Sequence, residues 1–159
     1  MNRVFILTIS DRASRKEKED LTGPELIKNV KAAGFEITGY RILPDEKDAI
    51  RDEIMKIADN DTADLILTAG GIGFAERDVT PEATAEAADR FAQGLAEAIR
   101  NANIKTSPNV MLTRGIAVIR KKAIIINLPG TPKGAREAFD VFARSIVHGI
   151  ARLKGNNQM

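Results

Sequence analysis

Apolar residues fall along the chain in two rhythms. Val4 to Ile9 (VFILTI), Leu65 to Thr68 (LILT) and Ala123 to Leu128 (AIIINL) are short, unbroken runs rich in β-branched residues, the pattern of strands buried on both faces of a parallel sheet. Phe35 to Leu43 reads as a further strand. Gly115 to Ile119 pairs with Ala123 to Leu128 across Arg120-Lys121-Lys122, as a hairpin or a paired edge. Between these runs the apolar positions take helical spacing: Leu26, Ile27 and Val30, then Ile50, Ile54, Ile57 and Ala58. Ala135, Ala138, Phe139, Phe142, Ile146 and Ile150 place one stripe on a single last helix. Thr22 with Glu25 three residues on has capping-box form, and Gly34 stops that helix. Thr80-Pro81 and Thr131-Pro132 each offer an N-cap followed by a first helical residue, and alanine-rich sequence carries the helix begun at Thr80 to about Ile99. Asp11 to Asp20 (DRASRKEKED) is almost wholly charged and reads as a solvated, mobile loop.

Strands alternating with helices imply right-handed crossovers and an α/β fold: a mostly parallel sheet with helices on both faces, three layers in all. The 159 residues suit one domain, expected over 1–153, with a flexible tail over 154–159. In such sheets the ligand crevice lies beyond the carboxyl ends of the strands. Those ends are Ser10-Asp11, Asp45, Gly70 to Asp78, and Pro129-Gly130-Thr131.

Two of these four segments run from glycine into a Thr-Pro helix start. Glycines let backbone N–H groups approach an anion, and a helix N-terminus adds unpaired donors and the positive end of its dipole. Each turn also reads as plain punctuation between strand and helix. Asp45 is either the N-cap of the second helix or a carboxylate at the crevice, and Asp78 either a cap, a partner of Arg77, or the same. Two carboxylates facing a glycine cradle can hold Mg²⁺ against a triphosphate, and phosphoryl or nucleotidyl transfer needs positioning more than a protein nucleophile.

Composition removes the competitors. There are no cysteines and one histidine, which excludes thiol nucleophiles, thiolate metal sites and a histidine metal cage; His148 reads as a packed or surface residue. Lys plus Arg number 24 against 22 acidic residues, too even a balance for a nucleic-acid footprint. Gly70-Gly71-Ile72-Gly73 is neither the dinucleotide fingerprint nor a P-loop. No stretch approaches the ~20 apolar residues of a membrane span and no signal-peptide pattern opens the chain; the cytoplasm is the expected location.

The strings Ile9-Ser10-Asp11-Arg12, Ile42-Leu43-Pro44-Asp45-Glu46, Gly70 to Thr84 (GGIGFAERDVTPEAT) and Asn127-Leu128-Pro129-Gly130-Thr131-Pro132-Lys133 closely resemble the MoaB/Mog family of molybdenum-cofactor biosynthesis proteins over nearly the whole chain, and the Mog type in particular. The resemblance implies a molybdopterin-binding fold, assembled as a homotrimer, that transfers AMP from Mg-ATP to the terminal phosphate of molybdopterin, releases pyrophosphate and passes its product to a molybdenum-insertion protein. It implies Asp45 and Asp78 as catalytic acids and Mg²⁺ ligands. It assigns Gly70, Gly71 and Gly73 to the nucleotide-phosphate loop and Asn127, Pro129 and Gly130 to a second loop of the pocket. Ser10, Asp11, Arg77 and Thr80 lie in the matching strings and are expected to bind substrate or nucleotide. Leu112-Thr113-Arg114 matches a segment for which substrate contact is expected, through Thr113. Ala69 and Ile72 stand where the family usually has threonine, which removes up to two hydroxyl donors. A non-catalytic molybdopterin carrier of the same family is the alternative. Arg12, Arg15 and Lys16 are expected at the pocket rim, closing the 11–20 loop over bound nucleotide.

Overall fold

The computed structural model describes residues 1–156. Its strands are β1 (Arg3–Ile9), β2 (Glu36–Leu43), β3 (Leu65–Ala69), β4 (Arg90–Phe91), β5 (Ala117–Arg120) and β6 (Ala123–Leu128), and its helices α1 (Asp11–Ser14), α2 (Thr22–Ala32), α3 (Lys47–Asp59), α4 (Thr80–Ala87), α5 (Gln93–Asn103), α6 (Pro132–Phe142) and α7 (Ser145–Leu153). The sheet runs in the order β2-β1-β3-β6-β5-β4. The first four strands of that order are parallel, whereas β5 pairs antiparallel with both β6 and β4. The mostly parallel, three-layer expectation therefore holds.

Alternation along the buried strands builds a core on each face. Val4 and Ile6 of β1 and Leu65 and Leu67 of β3 face α2, α5, α6 and α7, where they meet Leu26, Val30, Ile99, Phe139, Phe142, Ile146 and Ile150. Phe5, Leu7, Ile9 and Ile66 face the other way, against Ile50, Ile54 and Ile57 of α3 and Ala83 and Ala87 of α4. Because both faces are covered, the central strands read as unbroken apolar runs.

Four details depart from the sequence pattern. Thr22 is not a cap: Asp20 Oδ1 accepts the N–H groups of Thr22 and Gly23, both at 3.1 Å, while Thr22 is buried in the first turn. The expected helix from Thr80 to Ile99 divides into α4, the two-residue edge strand β4 and α5, since Asp89 and Ala92 donate to the carbonyls of Ile119 and Ala117 on β5. The final stripe belongs to two helices, α6 and α7, separated at Ala143 and Arg144. The charged loop opens as a helical turn, α1, capped by Ser10 Oγ, which accepts from Ala13 N–H at 3.1 Å. Thr131, by contrast, is the N-cap of α6 as expected, accepting from Gly134 N–H at 3.1 Å. Of the tail expected over 154–159, Lys154 pairs with Asp64 at 3.1 Å, and residues 157–159 lie outside the described residues.

Asp64 marks the edge of the sheet opposite the strand ends considered above. Its side chain is 1% exposed and accepts from the Arg3 backbone at 2.8 Å and the Arg3 guanidinium at 2.9 Å as well as from Lys154. Burial alone would raise its pKa, but these hydrogen bonds outweigh it and hold the carboxyl below its ordinary range. A depressed acid contributes stability above its unfolded pKa and loses it as pH falls through the folded value. Asp64→Asn is therefore expected to cost about 2 kcal/mol near neutral pH, with the difference from the parent shrinking below about pH 4 in thermal melts.

Candidate active site

Sheet register brings the four strand-end segments to one edge. Thr8 aligns with Ala69 and Ala69 with Leu128, while Ile9 aligns with Leu43. The chains then stay joined just past the strands: Ser10 N–H donates to Leu43 O at 2.9 Å and Gly70 N–H to Leu128 O at 3.0 Å. Gly70 and Gly71 have φ of +110° and +70°, which L side chains adopt at a cost. A Cβ on Gly70 would collide with the Ile9 carbonyl oxygen, and one on Gly130 would lie 3.1 Å from Gly70 Cα. The glycines are thus demanded by close backbone approach between the turns. Thr80 secures the geometry from behind: its hydroxyl donates to Gly70 O at 3.0 Å and its N–H to Gly71 O at 3.1 Å. It is fully buried and is the first residue of α4, not its cap, so its hydroxyl and its N–H are both spent on the shape of the turn.

Asp45 is not a helix cap. The N-cap of α3 is Glu46, which makes no side-chain cap bond. Asp45 instead forms a reciprocal clasp with Asp11, in which Asp11 N–H donates to Asp45 Oδ2 and Asp45 N–H to Asp11 Oδ1, both at 2.9 Å. Its other oxygen faces the glycine turn, 3.0 Å from where a Cβ on Gly71 would stand. Burial raises the Asp45 pKa above the ordinary carboxylate value, the charges of Asp11 and Asp78 add to the effect, and the Asp11 amide and Arg77 oppose it. Arg77 bonds Asp11 at 2.6 and 3.1 Å and Glu46 at 2.8 Å; its guanidinium holds the Asp11 carboxyl below the usual range. Arg77 does not pair with Asp78. The Asp78 carboxylate accepts from Ala75 N–H at 3.0 Å, and a Cβ on Gly73 would lie 2.9 Å from the same oxygen. Glycine therefore clears space beside each of the two acids.

Asn127 lies at the floor of this end of the sheet. It is 4% exposed, its amide donates to the hydroxyls of Thr68 and Thr84 at 2.9 Å each, and its Oδ1 accepts from Ile116 N–H at 3.1 Å. Those bonds tie β6 to β3, to α4 and to the lead-in of β5, and Asn127 also lines a small cleft with Thr113, Gly115 and Pro129. The Pro129-Gly130-Thr131 turn separates two clefts. One, about 130 Å³, is lined by Thr8, Ser10, Ala69, Lys18 to Thr22 and Gly130. The other, about 250 Å³, is lined by Asn103, Ser107, Val110, Thr113, Pro129 and Thr131. The charged segment meets the first cleft through Lys18, Glu19 and Asp20, whereas Arg15 turns aside to Glu17 at 3.0 Å. Asp20, which also bonds the Tyr40 hydroxyl, pins that segment to β2. Thr22 closes the first cleft by donating to Gly130 O at 2.7 Å.

A family model described as a probable molybdopterin binding domain matches residues 5–149. The chain belongs to that family. Among curated members of the molybdopterin-binding family, the molybdopterin adenylyltransferase of Helicobacter pylori is 38% identical over 156 residues, spanning 96% of this chain and 88% of that protein. The molybdopterin adenylyltransferase of Escherichia coli K12 is also 38% identical, over 155 residues, spanning 93% of this chain and 79% of its own. The solved structure of the molybdopterin biosynthesis enzyme MoaB from Thermus thermophilus superimposes with a TM-score of 0.92 at 41% identity, covering 98% of each chain.

Proposed function

We propose that this chain is a molybdopterin adenylyltransferase, joining AMP from ATP to the terminal phosphate of molybdopterin and releasing pyrophosphate. The observation that carries the reading is the pair Asp45 and Asp78 flanking a glycine turn at the carboxyl end of the sheet, in a chain whose relatives, matched over most of their length, bear that name. Two clefts on either side of one turn suit an enzyme that brings two substrates together. An oxygen of the pterin phosphate bonds to the α-phosphorus, the α–β phosphoanhydride bond breaks, and pyrophosphate departs with the electron pair. The chain's part is to hold the reacting phosphates in line and to exclude water, and it needs no nucleophile of its own.

The donor set fits Mg²⁺. Among the described residues there is no cluster of three or more metal-ligating side chains, and Mg²⁺ takes one or two carboxylates and completes its shell with phosphate and water. Asp45 and Asp78 would hold it, and bound there it would neutralise the triphosphate charge. The turn amides and the Lys18 to Thr22 segment complete the nucleotide side of the site, and Thr113 lines the pterin side. A homotrimer in the cytoplasm, handing its product to a molybdenum-insertion protein, belongs to the same reading. The exposed apolar groove of about 470 Å³ between Leu95, Ile119, Ile146 and Leu153 supports self-association, and no helix among the described residues is long and apolar enough to cross a membrane.

The test is pyrophosphate release from Mg-ATP with and without molybdopterin. Release that requires the pterin is expected. Pterin binding with no release would make the chain a carrier, and release without the pterin would make it a nucleotide-cleaving enzyme.

A further inference from the structure

Arg114 lies just beyond the 3-10 turn Pro108–Leu112, far in sequence from both acids. Its N–H donates to Ile72 O at 2.7 Å. Its guanidinium then reaches across the arch of residues 73–78: Nε donates to Gly73 O at 2.7 Å and Nη2 to Asp78 O at 2.6 Å. Nη1 and Nη2 also bond the Glu82 carboxylate on α4, at 2.6 and 3.2 Å. Four of the five guanidinium N–H donors are thereby committed within the protein. Both ends of the arch are tied to one planar group, and Glu82 fixes the orientation of that plane.

The only other side-chain anchor of the arch among the described residues is Arg77, which reaches Asp11 and Glu46 from its exposed tip. Phe74, Ala75, Glu76 and Arg77 are exposed. Its internal bonds are local, from Asp78 N–H to Ala75 O and from Ala75 N–H to the Asp78 carboxylate, each 3.0 Å. We propose that Arg114 is a positioning residue, which sets the shape of the 73–78 arch through its two carbonyls and thereby the direction of the Asp78 carboxylate. The inference rests on the reading of Asp78 as a catalytic acid. It leaves the substrate contact expected of the Leu112-Thr113-Arg114 segment to Thr113, because a guanidinium so fully engaged has little left for a substrate. Lysine keeps the charge but cannot bridge two carbonyls and a carboxylate as a planar fork does.

The experiment combines hydrogen exchange on the ligand-free chain with steady-state kinetics for Arg114→Lys and Glu82→Gln. Exchange across residues 73–78 is expected to accelerate in both variants while protection in β1, β3 and β6 stays at the parental level, which also reports that the variants fold. Turnover is expected to fall about tenfold to a hundredfold in Arg114→Lys, the scale of a displaced reacting group, with a smaller change in the KM for molybdopterin. Guanidinium ion added to Arg114→Ala should restore part of the turnover. Unaltered exchange in the arch, or a defect confined to the molybdopterin KM, overturns the proposal; the latter would mean that Arg114 touches substrate. If Asp78→Asn keeps full activity, the reading of the site fails instead, and the exchange result still decides what Arg114 holds.

Discussion

Asp45→Asn is expected to lower pterin-dependent pyrophosphate release by about a hundredfold or more, the usual scale for removing one preorganised charge-stabilising group, while raising thermal stability. The two effects have one cause. Burial and the neighbouring charges of Asp11 and Asp78 raise the Asp45 pKa, so the ionised side chain is less comfortable in the folded protein than in the unfolded chain. A raised acid subtracts stability once pH exceeds its folded pKa and subtracts nothing below its unfolded pKa. Asparagine keeps an oxygen to accept the Asp11 N–H and discards the charge. The gain in Tm should be present at neutral pH and vanish as pH falls below the ordinary value of 3.8. Activity and melting curves recorded on the same preparations check both halves. A variant that is both inactive and less stable would show that Asp45 serves the fold, and one with parental activity would remove it from the reaction. Such opposed effects are usual where a protein maintains strained charge for function.

Gly70→Ala is expected to be the most damaging single methyl in the molecule. The residue sits at φ +110°, and the new carbon would collide with a backbone oxygen, the Ile9 carbonyl, which belongs to the central strand and has nowhere to go. Left-handed strain and the collision together should cost about 3 kcal/mol, seen as a loss of roughly 10 °C in Tm for a domain of this size. Gly94→Ala provides the contrast. Gly94 is the second residue of α5, with nothing within 4 Å of the added carbon, so the same change should be neutral or stabilise by up to about 0.5 kcal/mol through helix propensity. Equal effects at the two positions would refute the geometric account of the turn.

The strands and the ends of the sheet were legible because burial on two faces leaves a signature in residue type alone: Val4 to Ile9 could hardly be anything else. Asp45, Asp78 and the glycines were legible for a related reason, since parallel strands deliver whatever follows them to one edge. What residue type does not give is direction. Asn127 and Thr80 have the right chemistry for a pocket, and nothing local says that their polar groups also hold the strand ends together, the Asn127 amide reaching Thr68 and Thr84 and the Thr80 hydroxyl reaching Gly70 O. The capping box at Thr22 misled because Asp20, two residues upstream, accepts the N–H groups of Thr22 and Gly23 and so draws Thr22 into the first turn. The break after Ala87 had no glycine or proline to announce it; pairing with β5 overrode alanine's preference for helix. Arg114 was the hardest to see. Its partners Gly73, Asp78 and Glu82 are 32 to 41 residues away, and no local pattern encodes such a contact.

The bond from Thr22 to Gly130 joins residues 108 apart in the chain. A nascent polypeptide that stops short of β6 already contains both acids and the whole glycine turn, yet it lacks the Leu128 carbonyl that receives Gly70 and the Gly130 carbonyl that receives Thr22. Neither bond can form until β6 and the turn after it have been made. On the proposed reading, a nucleotide in this cleft would bind only chains in which these two parts of the fold have met, and by mass action it would favour them over chains in which they have not.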